Sequence, residues 1–134
     1  MAFLGDVAPA LIEWVAESIR AAAGRSDRFA VPIDRVGTFS VGTRVHVIWA
    51  GPSDPVAGFT HRVETIRAAL APLGFSFDAH VEPHVTLARN ARGGALPAVD
   101  PPASSIDARA LTLFSSHLDP HGSTYHVLDR FPLR

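Results

Sequence analysis

Two stretches of the chain repeat apolar residues at helical spacing. Leu11, Val15, Ile19 and Ala22 recur at intervals of 4, 4 and 3, which lines one face of an α-helix. Asp6 is placed to cap this helix, Pro9 suits its opening turn, and Gly24 ends it before a polar loop from Arg25 to Arg28. Val56, Phe59, Val63, Ile66 and Leu70 follow at 3, 4, 3 and 4. Ser53 or Asp54 can cap this second helix, Pro55 sits at its start, and Pro72 with Gly74 closes it. The other apolar runs are short and β-like: Phe29–Ile33, Val36–Ser40, Arg44–Trp49, Ser76–His80, His84–Arg89, Arg109–Phe114 and Thr124–Phe131. Ser40-Val41-Gly42 reads as a turn, and Ala95–Ser105, with three prolines and no periodicity, reads as a surface loop. No internal repeat appears. The order helix, strands, helix, strands with short connections predicts an α+β fold, with two main helices packed outside mostly antiparallel sheets.

Composition narrows what such a fold can do. The 134 residues suit one domain, residues 1–134, and 47% apolar against 19% charged residues gives it a real core. No run approaches the roughly 20 apolar residues of a membrane span, so no membrane role is expected, and no basic-then-apolar leader opens the chain. A cytoplasmic domain is expected. Cysteine is absent, which excludes disulfides, thiolate nucleophiles and Cys-ligated zinc. All twelve basic residues are arginines. Without lysine there is no Schiff base, lysine–nucleotide adduct or P-loop lysine. The net charge is −1, so contact with a nucleic acid must come from a local arginine cluster.

Seven histidines remain as the main reactive groups. His61 sits on the second helix beside Phe59 and Val63 and reads as structural. His121 lies in the turn sequence Asp-Pro-His-Gly, and His117 and His126 flank that turn. His46 alternates with Val45 and Val47, so it faces either solvent or a cleft. No His-x-x-x-His or His-Glu-x-x-His spacing occurs, and no metal site is expected.

His84 differs from these. In Glu82-Pro83-His84-Val85-Thr86-Leu87-Ala88-Arg89, strand alternation puts Val85 and Leu87 on one face and His84 and Thr86 on the other. An imidazole and a hydroxyl side by side on a strand can grip one tetrahedral anion. The imidazole can move a proton near neutral pH, while the hydroxyl donates to a phosphoryl oxygen. Arg89 and Arg92 follow at once and can supply charge for a phosphate. The plainer reading of the same residues is a half-buried strand with one polar face.

Read with two further segments, this strand resembles the second signature of the 2H phosphoesterases, in particular the LigT-like RNA 2',3'-cyclic phosphodiesterases, also called 2'-5' RNA ligases. The segments Leu111–Ser116, Pro120–Gly122, Tyr125–Leu128 and Phe131–Leu133 resemble the C-terminal pattern of that branch. Trp49-Ala50-Gly51 and the helix ending Ala69-Leu70-Ala71-Pro72-Leu73-Gly74-Phe75 fit it as well. The resemblance implies a bilobal fold with two His-x-Thr/Ser motifs facing across a cleft, and chemistry free of cofactor, metal and ATP. It implies that His84 activates water, that the histidine of the first motif protonates the departing 3' oxygen, and that Thr86 holds the phosphate. The implied substrates are RNA ends carrying a 2',3'-cyclic phosphate, such as tRNA-fragment-like ends, or small cyclic nucleotides. Reverse 2'-5' ligation would run through the same transition state.

The family pattern follows its first motif with Phe-Leu-Gly, here Phe3-Leu4-Gly5. That register places the first motif just ahead of Met1, so the chain reads as an N-terminally truncated form of the fold. Losing one partner of an acid/base pair costs about 10²–10⁴ in rate. His46 and His80 are the candidates to replace the missing acid. Three readings stay open: a cyclic phosphodiesterase, a binding module for RNA ends or nucleotides that does not turn over, and an oligomer. A monomer is expected, with the opened sheet edge as a route to self-association.

Overall fold

The computed structural model describes residues 2–41, 44–77, 81–89, 101, 103–120 and 122–134. Two helices, α1 (Ile12–Gly24) and α2 (Ala57–Leu70), pack against each other and against a β-ribbon. Both begin differently from expectation. Asp6 makes no cap: a short 3-10 turn, Pro9–Leu11, leads directly into α1. Neither Ser53 nor Asp54 caps α2, which starts after Val56. Ser53 is held instead by Asp34, whose two carboxylate oxygens accept its N–H at 2.7 Å and its hydroxyl at 3.2 Å. The far end of α2 follows the sequence: a 3-10 turn, Ala71–Leu73, stops at Gly74 in the left-handed region.

Seven strands form three antiparallel groups: β1 (Phe29–Ile33) with β5 (Ser104–Ala108), β2 (Arg35–Val41) with β3 (Arg44–Gly51) and β4 (Val85–Arg89), and β6 (Ala110–Asp119) with β7 (Gly122–Pro132). The two helices with all-antiparallel pairing among the described residues make this an α+β fold, as the pattern predicted. Ser104 and Ser105 belong to β5 and not to the expected loop. Ser76 and Phe77 are not strand, and the rest of that expected run, His80 included, lies outside the described residues. Ser40 and Val41 of the expected turn belong to β2, while Gly42, His121 and most of the Ala95–Ser105 loop lie outside the described residues.

The core sits where the predicted helical stripes meet β6 and β7. Val15 and Ile19 of α1 and Ile66 and Leu70 of α2 close on Leu111, Phe131 and Leu133, all buried. Leu133 N–H donates to the Arg109 carbonyl at 2.8 Å, and Arg28 N–H to the Arg134 carbonyl at 2.9 Å, so the C-terminus is fastened beside α1. β1 links this half to the three-stranded sheet, since it touches both α2 and β3. Contact is close there: Gly58 of α2 lies against Phe29, leaving no room for a side chain.

Candidate active site on strand β4

The three-stranded sheet gathers the candidate residues on one face. Trp49, on the central strand, stands opposite Gly37 of β2 and opposite Thr86 of β4. Val47, two residues earlier, stands opposite Phe39 and Arg89. Residues opposite one another, or two apart along a strand, share a face. Gly37, Phe39, Val47, Trp49, Thr86 and Arg89 therefore lie on the same side.

Simple alternation would not have put Arg89 there. Thr86 and Arg89 are three apart, which on a regular strand means opposite faces. The register between β3 and β4 shifts between Ile48 and Trp49, so that Thr86 pairs with Trp49 while Ala88 pairs with Ile48. Leu87 is the extra residue of this bulge, and alternation stops at it. The bulge puts Arg89 on the side of the sheet that carries Thr86.

His84 stands just ahead of β4 and is exposed. Its Nδ1 is 2.9 Å from the backbone carbonyl oxygen of Glu82. A carbonyl can only accept, so Nδ1 carries the hydrogen in this contact and Nε2 is left with a lone pair or with the second proton. On the same imidazole, the Phe39 ring makes an edge contact, with centroids 5.0 Å apart and planes at 85°. Phe39 in turn packs on Trp49 at 5.5 Å. Trp49 is buried and lies across Gly37, with the guanidinium of Arg35 5.8 Å from its ring.

The register and the Phe39 contact thus place His84, Thr86 and Arg89 on one face of the sheet. His46 is not joined to them. It is the extra residue where β3 skips a partner on β2, between Val45 opposite Ser40 and Val47 opposite Phe39. It is half-buried, and among the described residues no hydrogen bond or ring contact ties it to His84. His80 and Arg92 lie outside the described residues. Among the described residues, no three His, Asp or Glu side chains gather as a metal-binding group. Sequence reasoning missed Phe39 and, as a support for the histidine, Trp49. The alternation Arg35-x-Gly37-x-Phe39 was the available signal, because a glycine between two large side chains leaves room for a ring from the next strand.

Two grooves lie away from β4. One, of about 560 Å³, runs between the extended segment Ala2–Val7 and β6, over a floor of Val15, Ile19, Ile66 and Leu70. None of the candidate residues lines it. Among the described residues, His84, Thr86 and Arg89 are all exposed.

Two helices on antiparallel sheets in this α+β arrangement are the fold of the 2H phosphoesterases of the LigT type. Residues 2–119 match the family model described as the 2'-5' RNA ligase superfamily, and the chain belongs to that superfamily. It is 35% identical over 96 residues to the RNA 2',3'-cyclic phosphodiesterase of Geobacillus stearothermophilus, a match covering 71% of this chain but only 30% of that relative. To the RNA 2',3'-cyclic phosphodiesterase of Aeropyrum pernix it is 27% identical over 135 residues, covering 94% of this chain and 76% of the relative. Among solved structures, TT0787 of Thermus thermophilus superposes with a TM-score of 0.85 at 26% identity, over 98% of this chain and 75% of that one. E. coli LigT complexed with 3'-AMP superposes with a TM-score of 0.72 at 27% identity, over 98% of this chain and 74% of that one. No helix among the described residues is long and apolar enough to cross a membrane.

Proposed function

We propose that this chain acts on RNA ends bearing a 2',3'-cyclic phosphate, opening the ring to leave a 2'-phosphate without a metal ion or ATP. The observation that carries this reading is the sheet face shared by His84, Thr86 and Arg89, with Nδ1 of His84 tied to the Glu82 carbonyl. Nε2 is then the nitrogen that takes a proton from water as the water oxygen bonds to phosphorus. The bond from phosphorus to the 3' oxygen breaks, that oxygen takes a proton from solvent, and Nε2 returns its proton to bulk water. Thr86 donates its hydroxyl hydrogen to a phosphoryl oxygen, and Arg89 offsets the charge that grows on the phosphorane. Reversal of the same steps, with a 5'-hydroxyl in place of water, joins two RNA ends through a 2'-5' linkage. The cytoplasm is the proposed setting, since RNA fragments with such ends are met there. The relatives named as RNA 2',3'-cyclic phosphodiesterases support the reading, as does the 3'-AMP complex of E. coli LigT.

The test uses a short RNA ending in a 2',3'-cyclic phosphate, with chelator present and the terminal phosphate of the product mapped. Turnover to a 2'-phosphate is expected, falling by about 10²–10⁴ in His84→Ala. Hydrolysis that survives His84→Ala unchanged overturns the proposal. A second reading keeps the same face but without turnover: Thr86 and Arg89, on one side of the sheet, can hold a phosphate whether or not a proton is delivered to a leaving oxygen. In that reading the chain is a binding module for phosphorylated RNA ends. Saturable binding of a 2'-phosphorylated end with no product over hours would favour it. Equal affinity for ends with and without phosphate would remove it.

A further inference from the structure

We propose that Phe39 is a positioning residue for His84: its ring, seated on Trp49, holds the imidazole in the orientation that presents Nε2 to the phosphate. This inference rests on the function proposed above. His84 needs such support because its surroundings give it little. It is exposed, it sits where an outer strand begins, and β4 has a hydrogen-bonded neighbour on one side only among the described residues. The hydrogen bond from Nδ1 to the Glu82 carbonyl holds a single nitrogen of an exposed side chain.

The Phe39 ring supplies the second constraint. It meets the imidazole at 85° with centroids 5.0 Å apart, so turning the ring about χ1 or χ2 costs this edge contact as well as the hydrogen bond. A contact of this kind favours one orientation roughly twofold to tenfold over the alternatives. Phe39 can do this only if it is itself held, and its anchor is firm. Trp49 packs on it at 5.5 Å and is 6% exposed. The indole lies across Gly37, where an added Cβ would run into its six-membered ring, and the guanidinium of Arg35 stands 5.8 Å from the ring. A continuous stack therefore runs from the buried part of the sheet to a side chain on its open margin.

Phe39→Leu keeps the bulk on Trp49 and removes the ring edge, whereas Phe39→Tyr keeps the ring. Two measurements read the effect. In proton NMR, the ring signals of His84, identified by their loss in His84→Ala, are expected to be displaced by the neighbouring aromatic current. They should return to ordinary imidazole positions in Phe39→Leu, stay displaced in Phe39→Tyr, and leave other histidine signals in place. With the cyclic-phosphate RNA, Phe39→Leu is expected to lower kcat about tenfold with KM little changed, since misaligned reacting groups cost rate more than affinity, and Phe39→Tyr should recover it. His84 signals that do not move in Phe39→Leu overturn the inference, and so do moved signals with unchanged kcat. If His84→Ala is inactive while Phe39→Leu is fully active, the proposed function stands and this inference falls. If His84→Ala is fully active, the proposed function falls, and the positioning role for catalysis falls with it, whatever the ring signals show.

Discussion

Arg89 reaches the site through a bulge, and its partners define what it can do. Its neighbours across the sheet and along the strand are Val47 and Thr86, apolar and neutral, so neither competes for the guanidinium. A phosphate held by His84 and Thr86 is its natural counter-charge, and hydrogen bonds to charged groups are the stronger ones. Arg89→Ala is expected to weaken binding of a 2'-phosphorylated RNA end by about tenfold to a hundredfold. The same RNA with an unmodified end should lose little, and Arg89→Lys should recover part of the loss as a point charge without the fork. Equal losses for both RNAs, measured by titration calorimetry or fluorescence anisotropy, would assign Arg89 to the RNA chain and not to its terminal phosphate. At this scale the sequence was informative where chemistry is local. His84 and Thr86 sit two apart, and their shared face follows from the period of a strand. Arg89 was named for its charge, but the reason it faces Thr86 is a bulge at Leu87 that no run of residue types announces. The spacing Arg35-x-Gly37-x-Phe39 could have placed Phe39 beside Trp49 but not beside His84, because that contact joins β2 to the start of β4 across a strand whose register the chain does not spell out.

Among the elements, the β2–β3 pair is where a small change should spread furthest. Gly37 is an interior strand position occupied by the one residue that leaves space for Trp49. A methyl group there would lie inside the indole, so the ring must tilt or the strands must separate. Overpacking of this kind costs about 1–3 kcal/mol, which in thermal unfolding appears as a fall in Tm of roughly 3–15 °C. Gly37→Ala is therefore expected to melt earlier and, because Phe39 rides on Trp49, to shift the His84 ring signals in the protein that remains folded. Unchanged melting would mean that the indole has another place to go. The helices were legible because each buries a stripe at helical spacing; Val15 and Ile19, or Ile66 and Leu70, could be picked out unaided. Their starts were not, since Ser53 has the chemistry of a cap but spends it on Asp34. β5 escaped notice for a related reason: Ser104-Ser105-Ile106-Asp107-Ala108 is almost wholly exposed and owes its conformation to pairing with β1. β6 continues past Phe114 to Asp119 through Ser115, Ser116 and His117, polar residues on an exposed ribbon that has no buried face to impose a pattern.

For the whole molecule, the decisive property is how little positive charge it carries. The net charge is −1, there is no lysine, and several arginines are occupied within the fold. Arg20 is paired with Glu17 and Asp129, Arg109 with Asp107, and Arg134 with Asp27, while Arg62 is buried with its guanidinium on the Asp27 carbonyl. An RNA-tracking protein spreads contacts along many phosphates and releases a counterion at each, which makes its affinity collapse as salt rises. A protein that reads one terminal phosphate with Arg89, Thr86 and His84 should not behave that way. With one or two phosphates contacted, and a slope of about −0.7 per contact on a single strand, affinity for the RNA end should fall only about threefold to sevenfold between roughly 50 and 200 mM salt. The measurement is a binding isotherm at several salt concentrations on RNAs of increasing length that share one terminal phosphate. Affinity that is insensitive to length and shallow in salt would place recognition at the end of the strand, on the open face of β4. A hundredfold loss, or affinity that grows with each added nucleotide, would require a second basic path over the surface, and the proposed single-phosphate site could not account for it.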